Sequence, residues 1–321
     1  MKPILSLEDF NVTYKAKADV YAVKNVSFAI QAGDSLGIVG ESGSGKSTLA
    51  MALLGLLPKD CARVEGLVDF DGQELLSLSP EELGDLRWKE LSVVFQKSMN
   101  SLSPVHRIRT QVEDIYRVHE PKASKQEVKE RFIELLKLVN LGERVYNLYP
   151  HQLSGGMLQR ISIAISLLHD PKLLILDEAT TALDVVTQGQ ILDEIVKMET
   201  QFDMTRMMIT HDISVVASSC NKVAVLYAGE LMEFGTTKSV LKKPKHPYTQ
   251  GLIDTIPELE GDVKTLQAIK GSLPDLSEIY EGCVFEPRCP HAMPVCRERK
   301  AKPVQISEDQ TVYCHLYEGD E

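Results

Sequence analysis

The 321-residue sequence predicts an α/β fold around a mainly parallel sheet, followed by a small loop-rich C-terminal extension. Three observations predict it. Short apolar runs alternate with helical patterns as far as about residue 240. A glycine-rich stretch, "GESGSGKST" at 40–48, lies between an apolar strand and an apolar helix. From about Lys243 prolines recur and periodicity weakens, and four of the six cysteines gather in the tail: Cys283, Cys289, Cys296 and Cys314.

The elements follow in order. "VYAVKNVSFAI" and "QAGDSLGIVG" read as strands of a small sheet near the N-terminus. A helix is expected from about Ser47 to Leu57, then a strand at 64–72 entering a turn. "LSVVF" at 91–95 reads as a short buried strand. In "VKERFIELLKLV", Val128, Phe132, Leu135, Leu136 and Val139 share one helical face. "PKLLILDE", "TRMMITHD" and "NKVAVLY" supply three further strands. The change of texture at 236–245 divides the chain into residues 1–240, with a helical subdomain at about 98–165, and an extension over 241–321. Cys61 and Cys220, standing alone, are expected to be small buried residues.

Composition excludes some functions. With 35 basic and 46 acidic side chains the net charge is −11, which disfavours nucleic acid and anionic lipid as partners. No run approaches the roughly 18 apolar residues of a membrane span. The N-terminus "MKPILSLEDF" shows no secretory signal, so a cytoplasmic location with reduced thiols is expected. A disulfide framework is then a poor explanation of the tail cysteines, and metal binding a better one.

The 40–48 stretch fits G-x-x-x-x-G-K-[ST] in its required setting. In the loop that opens at Gly40, Gly43 and Gly45 let the backbone turn. The N–H groups of Ser42, Ser44 and their neighbours can then point at phosphate oxygens, and the following helix adds its positive dipole. Lys46 offers a charge to β- and γ-phosphates; Ser47, beside Thr48, offers a hydroxyl to Mg²⁺. "LLILDE" at 173–178 delivers two acids from the end of a buried strand. Asp177 suits the Mg²⁺ shell, and Glu178 can polarise a water for in-line attack. In "HQLSGGMLQR", Ser154 caps a helix, and it and Gly155 and Gly156 expose N–H groups that can hold an anion.

"LSGG" between such a loop and an "LDE" strand resembles the signature of ABC ATPases. Gln96 in "VFQKSMNSLSP" matches the family's Q-loop glutamine, which serves the metal and the reaction. Asp184 in "TALD" matches the D-loop aspartate, and His211 in "MMITHD" the switch histidine. Tyr14 matches the aromatic that stacks on adenine, with Tyr21 as its rival. Taken singly, each has an ordinary structural role; together, over residues 4–235, they carry the resemblance. It implies an ABC-type ATPase core with an antiparallel β subdomain at its N-terminus and a helical subdomain. Two cassettes would close head to tail around two ATP, with Ser154, Gly155 and Gly156 serving the partner's nucleotide. Met157 departs from the glutamine common at that position; the phosphate contacts are made by backbone and Ser154, so competence should survive.

Within that family, "YPHQLSGGMLQR", "TTALDVVTQGQIL", "KHPYTQGLI" and "GCVFEPRCPHAMPVC" are similar to the ATPases of bacterial oligopeptide and dipeptide importers. This implies two transmembrane permease subunits, a second ABC ATPase (a paralogue or a second copy), an external solute-binding protein, and a place on the cytoplasmic side of the membrane. Residues of about 97–120 would form the docking surface. The cysteine spacing fits neither common zinc nor ferredoxin patterns and leaves the metal open. The resemblance implies a [4Fe–4S] cluster on Cys283, Cys289, Cys296 and Cys314. Tetrahedral zinc is the second reading and four unligated thiols the third, with His291 and His315 as bystanders. Similar ATPases serve nickel and sugar importers, and non-transport ABC ATPases share the fold.

Overall fold

The computed structural model describes residues 2–96, 101–179, 184–202, 204–255 and 269–319. The chain forms two compact units, one of Met1–Ser77 with Ile209–Glu321, the other of Leu78–Met208.

The first unit opens with β1 (Leu5–Tyr14) and β2 (Val20–Ile30), paired antiparallel with Leu7 opposite Phe28. β3 (Ser35–Val39) runs into the glycine-rich loop and α1 (Lys46–Leu53). The helix stops four residues before the expected Leu57. Gly55 takes φ 59°, its N–H reaches Ala52 O at 2.9 Å, and the Leu56 N–H reaches Met51 O at 2.9 Å. That pair of bonds is a Schellman motif, which ends a helix wherever glycine accepts the left-handed conformation. β4 (Ala62–Phe70) pairs antiparallel with β1. Asp71 and Gly72, both at positive φ, turn it tightly into β5 (Gln73–Glu74).

The second unit holds α2 (Pro80–Leu86), begun by a capping box between Ser79 and Glu82, and β6 (Leu91–Val94). Then come α3 (Ile108–His119), α4 (Lys125–Leu138), α5 (Gly155–Ser166), β7 (Leu173–Asp177), α6 (Val185–Phe202) and β8 (Thr205–Ile209). β8, β7 and β6 lie side by side, and β6 and β7 are parallel with Leu91 opposite Leu173. α4 buries Val128, Phe132, Leu135 and Leu136, the face that helical spacing predicts. Asn140, at φ 54°, ends it as Gly55 ends α1. Residues 97–100 of the expected docking surface and 181–183 of "TALD" lie outside the described residues.

The chain returns to the first unit through α7 (Ile213–Ser219), β9 (Lys222–Tyr227), β10 (Glu230–Thr236), α8 (Thr237–Lys242) and α9 (Pro247–Ile253). α10 (Val295–Glu298), β11 (Val304–Ser307) and β12 (Gln310–Val312) follow. The sheet of this unit is mixed, where a mainly parallel one was expected. β3 and β9 are parallel; β9–β10, β10–β12 and β12–β11 are antiparallel. The reason is local: Ala228 and Gly229, at φ 49° and 84°, make the two-residue turn that folds β10 back on β9.

The tail joins the same compact unit as residues 1–77. β12 adds to β10, with Gly235 opposite Gln310. Glu233, buried in β10, fastens the join. Its carboxylate accepts the N–H of Lys245 and of His246, both at 2.9 Å, and Gln310 Nε2 at 2.6 Å. Burial still pushes its pKa above the ordinary value. Cys220 is buried as expected; Cys61 is exposed, because the turn at Pro58–Ala62 turns it outward. No helix among the described residues is long and apolar enough to cross a membrane.

Candidate functional site

In the first unit the loop from β3 to α1 is shaped by glycine. A Cβ on Gly40, at φ 153°, would stand 2.1 Å from Leu226 O; one on Gly45, at φ 89°, 2.1 Å from Ala22 O. No other residue fits either place. Gly45 is the N-cap of α1 and uses no side-chain cap, which leaves the helix N-terminus open to an anion. Ser44 is fully buried, and its Oγ has no hydrogen-bond partner among the described residues. Lys46 is 5% exposed, and its Nζ donates to Gly40 O at 2.7 Å and Glu41 O at 2.9 Å. The loop thus already curls around the ammonium. Ser42, Gly43, Ser47 and Thr48 complete it. Tyr14 Oη lies 3.2 Å from Thr48 Oγ1, which puts this tyrosine at the loop's end. Its rival Tyr21 pairs its N–H with Leu276 O instead. His211 follows Thr210, whose N–H bonds Ile38 O at the end of β3 and whose hydroxyl accepts the Asp212 N–H.

The second unit gathers the remaining predicted residues. Asp177 ends β7 and is 6% exposed. Glu178 follows at φ 47°, a left-handed turn that takes its side chain off the strand's line. Gln96 Nε2 donates to Glu178 Oε2 at 2.7 Å, so two residues 82 positions apart meet. Ser154 caps α5, its Oγ accepting the Met157 N–H at 3.3 Å. Gly155 and Gly156 form the first turn of α5. A Cβ on Gly156 would stand 3.3 Å from Thr187 Cγ2. Thr187 also donates its N–H and hydroxyl to Asp184, at 2.9 and 2.7 Å, which holds that carboxyl below its usual range. Thr187 therefore lies beside the first turn of α5 and also holds Asp184, a contact no local motif announces.

Two residues that sequence reasoning missed touch the 40–48 loop from the tail. Tyr248 Oη accepts the Glu41 N–H at 2.9 Å, and Arg288 Nη1 donates to Glu41 Oε2 at 3.0 Å. Separations of 207 and 247 positions leave no signal in the local sequence.

The four tail cysteines line one cavity with Phe285, His246, His291 and His315. The Cys283 N–H donates to Cys296 O at 2.7 Å, and Gly282 is required beside it, since a Cβ there would stand 2.2 Å from the same oxygen. Burial pushes the Cys283 thiol up to about 12 and Cys314 up to about 11, and raises Cys289. Both ring nitrogens of His315 are engaged, with Glu318 at 2.8 Å and Arg299 O at 3.0 Å. No three His, Cys, Asp or Glu side chains stand at metal-holding separation among the described residues. The donor set fits a four-thiolate metal; the separations in this structure do not.

Residues 23–181 match the ABC transporter family, and residues 232–296 the oligopeptide/dipeptide transporter C-terminal region. The oligopeptide transport ATP-binding protein OppD of Escherichia coli is 44% identical over 296 residues, 91% of this chain and 87% of that protein. The dipeptide transport ATP-binding protein DppD of Caldanaerobacter subterraneus is 40% identical over 320 residues, 99% of this chain and 98% of that protein. Among solved structures, the dimeric ATP-binding cassette MJ0796 in a post-hydrolysis state with ADP and Pi is 33% identical. It superposes with a TM-score of 0.65 over 73% of this chain and 98% of that one. CbiO1 from Clostridium perfringens, part of an ABC transporter complex, is 29% identical with a TM-score of 0.64, over 76% and 92%. The chain belongs to the ABC transporter family of ATP-binding proteins, with the C-terminal region of its oligopeptide and dipeptide transporters.

Proposed function

We propose that this chain is the ATP-hydrolysing subunit of an importer for oligopeptides or dipeptides, working on the cytoplasmic face of the membrane. The observation that carries this is double: 40–44% identity along nearly the whole chain to peptide-transport ATP-binding proteins, and a tail that matches the C-terminal region peculiar to them. Residues 1–240 are the cassette, with the helical part at about 98–165, and residues 241–321 the extension.

The roles follow from the residue chemistry and the family. The N–H groups of 42–48 hold the phosphates, and Lys46 meets their β and γ oxygens. Tyr14 stacks on adenine. Ser47 and Gln96 would hold Mg²⁺ through their oxygens with Asp177 steadying its shell, and the ion would neutralise phosphate charge. Glu178 takes a proton from a water whose oxygen attacks the γ-phosphorus in line, as the bond to ADP breaks. His211 and Gln96 orient that water and the γ-phosphate. Ser154, Gly155, Gly156 and Asp184 serve the nucleotide of a partner cassette, a second copy or a paralogue. Closing on ATP and reopening after hydrolysis moves two permease subunits, which receive solute from an external binding protein. Permease subunits produced with this chain are expected to co-purify with it and raise its ATP turnover. A chain that binds none of them and turns over unaided would refute the reading.

For the tail, we propose that Cys283, Cys289, Cys296 and Cys314 hold a [4Fe–4S] cluster, with zinc as the alternative. Four cysteines lining one cavity support a four-thiolate metal. Such a cluster would fix the short, proline-rich tail. Anaerobic purification should give about four irons and four sulfides per chain and a broad band near ~400 nm. One zinc and no colour would assign the same ligands to the other metal. Neither metal would leave four plain thiols.

A further inference from the structure

Arg288 sits where the tail meets the phosphate loop. Its side chain is 7% exposed. Nη1 serves Glu41 Oε2 at 3.0 Å and Tyr227 Oη at 3.1 Å. Nε donates to Lys270 O at 2.8 Å and Nη2 to Ile269 O at 3.2 Å. Only a planar guanidinium offers donors in that fan. The segment it holds continues to Leu273, whose Cδ1 lies 3.3 Å from where a Cβ on Gly43 would stand. Tyr248, packed against Tyr227 and Phe285, adds the acceptor for the Glu41 N–H. On the loop's inner side the Glu41 carbonyl accepts from Lys46 Nζ and from the Ser44 N–H. One loop residue is thus held by the tail through its side chain and its N–H, and itself holds the phosphate-binding lysine.

We infer that Arg288, acting through Glu41, is a positioning residue for nucleotide binding: the C-terminal extension keeps the phosphate loop in the shape that receives ATP. Two physical arguments point the same way. A loop with glycines at φ 153°, 85° and 89° is intrinsically soft, and a loop ordered beforehand loses less entropy when the ligand arrives. Glu41 also places a carboxylate in the loop that must receive a polyanion, and Arg288 balances that charge at contact distance. The inference rests on the loop's being the ATP site.

The test uses the full chain with ATP and Mg²⁺, reading affinity by titration and thermal stability alongside. Arg288→Gln should weaken ATP binding about tenfold, with KM rising and kcat held. Arg288→Lys, which keeps the charge and loses the fork, should fall between. Glu41→Gln should cost less than Arg288→Gln, because it removes the bare carboxylate. Adding it to Arg288→Gln should make affinity no worse. If Arg288→Gln does not fold, Tyr248→Phe removes only the acceptor for the Glu41 N–H and should weaken ATP about threefold. Unchanged affinity in the folded variants, even with lower stability, would overturn the inference. So would losses that multiply in the double variant, since independent sites behave that way. Lys46→Ala is the control: if it binds ATP like the parent, the loop assignment itself fails, whatever Arg288 does.

Discussion

Glu178→Gln lowers ATP turnover by about 10²–10⁴-fold while leaving ATP bound, the expected result of removing a general base. Its placement supports the role. Asp177 is buried at the strand end, whereas Glu178 turns away at φ 47° and meets the Gln96 amide at 2.7 Å. That bond is charge-assisted in the parent and survives in the variant as an amide–amide bond, so the loss falls on proton transfer more than on position. With ATP bound and unhydrolysed, the variant should also accumulate with a partner cassette as a closed dimer. A monomeric variant with parental turnover would remove Glu178 from the reaction. Single-turnover hydrolysis and molecular mass, measured with and without ATP, decide the matter.

Lys46→Ala is expected to weaken ATP binding by about 10–10²-fold, the scale of a charged hydrogen bond to phosphate. Lys46 Nζ donates to the carbonyls of Gly40 and Glu41 from a side chain only 5% exposed. The variant loses both the charge and the group around which the loop curls. Lys46→Arg should not rescue it, because the larger guanidinium has no room in that enclosed place. Titration with ATP checks both variants; parental affinity in Lys46→Ala would show that the nucleotide binds elsewhere.

Much of the candidate site is legible in the sequence because its chemistry is local. Nine consecutive residues make the glycine-rich loop, where Gly43 and Gly45 take the positive φ that glycine allows. The face of α4 follows from spacing alone. What escapes is non-local or turns on a single left-handed residue. Gly55 ends α1 early, and Ala228–Gly229 reverses β10 into an antiparallel partner, so the expected parallel sheet is mixed. A proline-rich, aperiodic tail reads as a separate extension, yet Glu233 and the β12 pairing build it into the first unit. The grip of Arg288 on Glu41 spans 247 positions and belongs to no motif; only the folded chain reveals it.

The central claim is that ATP turnover by this chain drives peptide import. Its most direct test is uptake of a labelled oligopeptide by vesicles carrying the permease pair, the partner cassette and this chain, with the binding protein on the opposite side. Uptake should require ATP on the cassette side and disappear with Glu178→Gln. Peptide uptake that survives Glu178→Gln, or ATP turnover indifferent to permeases and peptide alike, would contradict it.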